Sequence, residues 1–311
     1  MSLSPYYRLS GISDELDLNL FVKRDDLLPD FLGGNKVRKN ARIFDGLSKD
    51  TEVVITNGGA ESNHARVCAL MASRYGKKCH LVLHGSPLSS SFCNGNKFFI
   101  EASGAQVTHV EASEIGSMIK KLKGNYEAQG IKVDVIPGGG HSILGAKAYM
   151  DAVSELPEEP DYIFMASGTG ATHAGIQAGV VTRGWKTKVI GISIARRKPR
   201  GKEAVEEVYY PLLKKELNSA RDKCPEILFV DDYVCGGYSK YSYGLMEEIK
   251  ELVFKTGLPL DPVYSGKAFV GMLDYLTNEN IGSGTKVIFW HTGGLLNLQS
   301  SSNLESEYLP K

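Results

Sequence analysis

From Val53 onward the chain alternates short apolar runs with stretches of helix length, and that rhythm limits what it can fold into. Val53-Val54-Ile55-Thr56 reads as a strand, and a helix is expected from 63 to about 75. Residues 80–84, 106–110 and 133–136 follow as strands, separated by helical stretches around 97–102 and 113–128. The rhythm breaks at Pro157-Glu158-Glu159-Pro160 and resumes with strands expected at 162–165, 188–194, 227–230 and 286–290. Strands joined by helix-length crossovers pair in parallel, with right-handed connections. The expected fold is α/β with two domains, each an open, mostly parallel sheet flanked by helices. Residues 51–139 form the smaller domain, and 1–50 with 140–311 form the larger. The first fifty residues lack the strand rhythm and are expected to cross between the two units.

Charge and cysteine usage narrow the partners. Lysine plus arginine (36) balances aspartate plus glutamate (36), so nothing points to nucleic acid or to a membrane surface. A small molecule is the expected ligand. The five cysteines form no C-x-x-C pair, which argues against a disulfide framework and a thiolate zinc site, and no metal is expected. The N-terminal stretch is too charged for a signal peptide and no apolar span is long enough to cross a bilayer, so a cytoplasmic setting is expected.

Several glycine-rich loops then carry candidate chemistry. Gly33-Gly34-Asn35-Lys36-Val37-Arg38-Lys39 sets a lysine on a tight turn at the mouth of a helix. Nearby cations would favour a neutral, nucleophilic amine, although a glycine turn capping a basic helix would use the same residues. Ser167-Gly168-Thr169-Gly170-Ala171-Thr172 follows a strand and opens a helix, the context in which backbone amides receive a phosphate. It has no P-loop lysine, and His173 stands where a dinucleotide fingerprint needs its third glycine. A lysine for a Schiff base and an anion cradle together suggest pyridoxal phosphate (PLP). Gly58-Gly59-Ala60-Glu61-Ser62-Asn63-His64 offers polar side chains at another helix start, where simple capping would explain the same residue types. Gly138-Gly139-Gly140-His141 reads as a turn first and a ligand contact second. Tyr264 and the His291-Thr292-Gly293-Gly294 loop sit where parallel sheets bind ligands, beyond strand carboxyl ends.

The ordered motifs GGNKVRK, GGAESNHAR, SGTGATHAG, YSYG, LDPVYSGKA and HTGG resemble the 1-aminocyclopropane-1-carboxylate (ACC) deaminase and D-cysteine desulfhydrase family. These are tryptophan-synthase-β-like, fold type II PLP enzymes, and the likeness runs from about Val22 to Gly294. The resemblance implies that Lys36, beside Asn35, forms the Schiff base with PLP. It implies that Asn63 meets the cofactor's phenolic oxygen, while Ser62 and His64 stand beside the substrate. Gly168, Thr169, Gly170, Ala171 and Thr172 match the phosphate cup. Tyr243 and Tyr264 match two tyrosines that approach the substrate. A homodimer acting on a small amino acid is expected from the same likeness.

Two positions divide the branches. ACC deaminases look like VYEGK and HLGG, whereas this chain has Ser265 and Thr292, like the desulfhydrases. A glutamate facing the pyridine nitrogen deepens the electron sink that cyclopropane opening needs. Elimination of a thiolate can proceed on a neutral ring held by a hydroxyl. The expected activity is therefore β-elimination of D-cysteine to pyruvate, ammonia and hydrogen sulfide. The alternatives are ACC deamination to 2-oxobutyrate and ammonia, a D-serine-type deaminase, and PLP binding without turnover. Asn40-Ala41 and Leu245-Met246 depart from the family pattern near these loops.

Overall fold

The computed structural model describes residues 3–85, 94–218 and 224–299. The described strands are β1 (Tyr6–Arg8), β2 (Asn19–Arg24), β3 (Val53–Gly59), β4 (Lys78–His84), β5 (Gln106–Val110), β6 (Val133–Ile136), β7 (Tyr162–Ser167), β8 (Lys188–Ser193), β9 (Leu228–Val230) and β10 (Lys286–His291). They form two sheets, a larger one in the order β1-β2-β10-β7-β8-β9 and a smaller one in the order β5-β4-β3-β6. In the larger sheet β1 runs antiparallel to β2 and the other pairs are parallel. All pairs of the smaller sheet are parallel.

The helices are α1 (Ser10–Glu15), α2 (Asn35–Asp45), α3 (Asn63–Arg74), α4 (Gly95–Ala102), α5 (Ile115–Glu127), α6 (Ile143–Ala152), α7 (Ala171–Thr182), α8 (Arg200–Leu217), α9 (Tyr243–Thr256) and α10 (Ser265–Asn278). Both faces of the larger sheet are covered, which is why its central strands are continuously apolar. Phe164, Ile190, Val287 and Phe289 pack on one face with Ile249 of α9 and Phe269 and Met272 of α10. Ile163, Met165, Val189 and Trp290 alternate with them and pack on the other with Tyr149 of α6 and Ile176 of α7. The smaller sheet sends Val54, Leu81 and Ile136 toward α2 and α3, and Val53, Ile55 and Val82 toward the apolar side of α5.

The N-terminal segment divides between these layers. Leu20 and Val22 of β2 join the core of the larger sheet, while Val37, Ile43 and Phe44 of α2 join that of the smaller. Sequence patterning gives no strand before residue 50, because β2 reads Asn-Leu-Phe-Val-Lys-Arg and ends in two buried cations. Lys23 pairs with Glu155 at 2.6 Å and Arg24 with Asp26 at 2.6 Å, and these bonds make that burial tolerable. No helix among the described residues is long and apolar enough to cross a membrane.

Candidate active site

Lys36 is the second residue of α2, and the chain reaches it through two glycines with φ of 65° and 92°. A Cβ on Gly33 would lie 2.1 Å from the Asp26 carbonyl oxygen, so only glycine fits that turn. Gly34 N–H donates to the Asp25 carbonyl at 2.7 Å and Asn35 N–H to the Thr292 carbonyl at 2.9 Å. The lysine is thus fixed where α2 meets the carboxyl end of β10.

Burial holds the Lys36 amine down to about 8, opposed by its hydrogen bond with Lys39. The neighbouring Arg38 does not contribute, because it points away into buried acids. Its guanidinium contacts Asp25 at 2.9 Å and Glu155 at 2.6 Å. Asp25 also accepts from Tyr149 Oη at 2.5 Å and Trp290 Nε1 at 2.9 Å. Lys39 is buried too, and its ammonium donates to the Gly139 carbonyl at 2.6 Å. Burial and the charge of Lys36 push Lys39 well below the usual lysine range.

His64, the second residue of α3, is a neutral brace. The Thr56 hydroxyl donates to the Ile136 carbonyl at 2.7 Å and so accepts from His64 Nε2 at 2.9 Å. His64 Nδ1 is left to accept from Asn40 Nδ2 at 3.2 Å, and that same amide donates to the Lys36 carbonyl at 2.8 Å. Burial, then the charges of Lys36 and Lys39, keep His64 well below the usual imidazole range.

Three loops complete the walls. Ser62 caps α3 by accepting from Ala65 N–H at 3.2 Å, and a Cβ on Gly58 would sit 2.6 Å from its hydroxyl. At the start of α7, Gly170 takes φ 101° and offers no capping side chain. Its first-turn amides are therefore open to an anion, with the helix dipole favouring one. Asn35 Nδ2 donates to Thr172 Oγ1 at 3.1 Å, tying this turn to the lysine helix. On the third loop the Tyr264 hydroxyl shares a hydrogen bond with that of Tyr238.

A cavity of about 480 Å³ has Lys36, Ser62, His64, Thr169, Tyr238 and Tyr264 on its walls. A small recess of about 40 Å³ shares Lys36, Gly168 and Tyr264 with it and adds Asn35, Asn63 and Thr292. Most of the residues singled out in the sequence therefore converge. Gly170, Ala171 and Thr172 form the adjoining helix turn without appearing on either wall.

Two positions differ from the sequence reading. Tyr243 is 65% exposed at the first turn of α9 and lies on neither wall; Tyr238 stands there instead. The two tyrosines sit five residues apart, Tyr238 in the loop before α9 and Tyr243 as the first residue of that helix. Ser265 is fully buried, with its hydroxyl donating to Asp261 Oδ1 at 2.7 Å rather than lining the cavity. The sequence also gave no signal for His84 and Arg196, which line the larger cavity.

The geometry fits a phosphorylated aldehyde cofactor. It sets a largely buried, low-pKa amine near an uncapped helix start, with glycines where a ligand must approach closely. Two parallel-sheet units meeting around such a lysine define a fold type II PLP enzyme. The chain belongs to the pyridoxal-phosphate-dependent enzyme family, whose model matches residues 2–293, and PLP is its cofactor. It is similar to an ACC deaminase homologue of known structure, with 30% identity, 96% of this chain and 92% of that one covered, and a TM-score of 0.86. It shares its fold with a hydrogen-sulfide-producing enzyme from Fusobacterium nucleatum, at 17% identity, 98% and 96% coverage and a TM-score of 0.68. A threonine deaminase isoform from Solanum lycopersicum aligns at 18% identity, 93% and 83% coverage and a TM-score of 0.67.

Proposed function

We propose that this enzyme eliminates the β-substituent of a small amino acid, D-cysteine above others, releasing pyruvate, ammonia and hydrogen sulfide. One observation carries the reading: no aspartate or glutamate is among the described residues on either cavity wall. The buried carboxylate nearest in sequence to Tyr264, Asp261, is fully engaged. It accepts from the Val263, Tyr264 and Ser265 amides at 2.9 Å and from the Ser265 hydroxyl. A site without a free carboxylate suits a neutral pyridine ring, with Thr292 as the hydroxyl on the recess wall. That favours departure of a stable thiolate over opening of a carbon ring.

Bound PLP supplies the electron sink for the pair left at Cα when its proton departs. Lys36, half-buried on the cavity wall and held down to about 8, is the base that takes this proton at working pH. The Ser62 hydroxyl already accepts from Ala65 N–H, so its own hydrogen is directed outward to the substrate carboxylate. Tyr238 and Tyr264 hold a proton for the departing sulfur. Asn63, at the start of α3 on the recess wall with Thr292, would hold the ring.

A second reading, deamination of ACC, is favoured by the 30% identity to the ACC deaminase homologue. PLP-loaded protein given D-cysteine, L-cysteine or ACC separates the two. Sulfide with pyruvate from D-cysteine supports the first, and 2-oxobutyrate from ACC alone would replace it with the second.

A further inference from the structure

Asn297 lies in the short 3-10 helix Leu295–Gln299, beyond residue 293 where the family match ends. It is 8% exposed, and Asn63 is 9% exposed. Asn297 Nδ2 donates to the Glu61 carbonyl at 3.4 Å, and Asn63 Nδ2 donates to Asn297 Oδ1 at 2.7 Å. These contacts fix which way both amides face. A backbone carbonyl only accepts, so the group of Asn297 that meets Glu61 is its NH2. The Asn297 oxygen is then turned on Asn63 and requires a donor there. Asn63 must present nitrogen on that side.

That nitrogen carries two hydrogens. One is taken by Asn297. The other is available on the cavity side, where Asn63 shares the recess wall with Lys36, Tyr264 and Thr292. The anchoring carbonyl is itself held from a third direction. Asn96, fully buried on α4, donates to it at 3.1 Å, and Lys97 pairs with the Glu61 carboxylate at 3.2 Å. The loop before α3, the start of α4 and the turn after β10 thus converge on one peptide group.

We propose that Asn297 is a positioning residue for the cofactor, holding the Asn63 amide so that an N–H faces the cofactor's ring oxygen. The inference rests on the reading that Asn63 meets that oxygen. Without Asn297 the Asn63 amide is free to turn over, and the turned state sets oxygen against oxygen. A donor to the ring oxygen stabilises its ionised form, so its loss moves the cofactor's titration to higher pH.

The test is visible-absorption titration of holoprotein, with PLP dissociation constants from equilibrium dialysis. The proteins are wild type, Asn63→Ala, Asn297→Ala, Asn297→Leu and the double alanine variant. Asn63→Ala and Asn297→Ala are both expected to raise the pH midpoint of the absorption change. Asn297→Ala weakens PLP binding by about threefold to tenfold, the range that one hydrogen bond carries. The double variant shifts no further than Asn63→Ala, because the two residues act as one unit. Asn297→Leu keeps the size but removes both the acceptor for Asn63 and the donor to Glu61, shifts the same way, and serves if the alanine variant does not fold. A wild-type midpoint in both Asn297 variants beside a shifted Asn63→Ala would overturn the proposal alone, as would additive shifts in the double variant. An unshifted Asn63→Ala would overturn the Asn63 reading, and the proposal with it.

Discussion

The hydroxyls of Tyr238 and Tyr264 share a hydrogen bond on the wall of the cavity that holds Lys36. Burial drives the Tyr264 phenol well above its usual range, against the pull of the Asn63 amide. The pair therefore stays neutral and can pass a proton without carrying charge. Tyr238→Phe is expected to lower kcat about 100-fold, the scale of general acid–base assistance. Tyr243→Phe, on a side chain 65% exposed, leaves kcat within about twofold of wild type. Steady-state kinetics on both variants checks the assignment, and equal losses would refute it.

The acidity of Lys36 has two consequences of definite sign. With the folded amine at about 8 and the free value at 10.5, the apoprotein should take up PLP covalently at a rate that rises to about pH 8 and then levels. A plateau reached only near 10.5 would show an ordinary lysine. The unfolded lysine keeps its proton to higher pH, so the burial penalty is complete below about 8 and fades toward 10.5. Lys36→Met should accordingly stabilise the apoprotein at neutral pH in urea unfolding, by a margin that closes as pH rises.

Arg38 lies between two buried acids, and removing it strands both. Arg38→Met should cost about 3–5 kcal/mol of stability, as expected for one partner lost from a buried ion pair. The charge and hydrogen bonds of Arg38, with bonds from Tyr149 and Trp290, hold Asp25 below the usual carboxylate range against burial. This contribution is present at neutral pH and is lost as pH falls through the folded value. Urea unfolding at neutral and acidic pH should therefore show a difference between wild type and variant that shrinks with acid.

Ser265 both donates to Asp261 and accepts from its backbone N–H at 2.9 Å. Ser265→Ala leaves these buried groups short of a partner and should cost about 1–3 kcal/mol, read as a lower Tm. Ser265→Glu combined with Thr292→Leu is expected to move the substrate profile toward ACC. An unchanged profile would show that these positions do not set the preference.

The strand rhythm after residue 50 was legible because central parallel strands are buried on both faces and read as plain apolar runs. β2 was not, since it ends in two cations, and Lys23 is buried only by virtue of Glu155, far along the chain. The loops around Lys36, Ser62 and Gly168 could be found because glycine and capping residues mark them locally. Tyr238 carried no mark in the sequence, because it stands in a loop, which gives no period from which to tell that its side chain turns inward. Asn297 carried no signal at all, as its meaning depends on a carbonyl at Glu61 more than two hundred positions away.

The most direct test of the account is to reduce the PLP-loaded protein with borohydride, which fixes the lysine–cofactor link as a stable amine, and to map the modified peptide by mass spectrometry. Lys39 and Lys267 are fully buried and Lys36 is half-buried on the cavity wall, so the experiment chooses among real competitors. The phosphopyridoxyl group is predicted on Lys36 and absent from Lys36→Ala. Its appearance on Lys39 or Lys267 would contradict the assignment of the site.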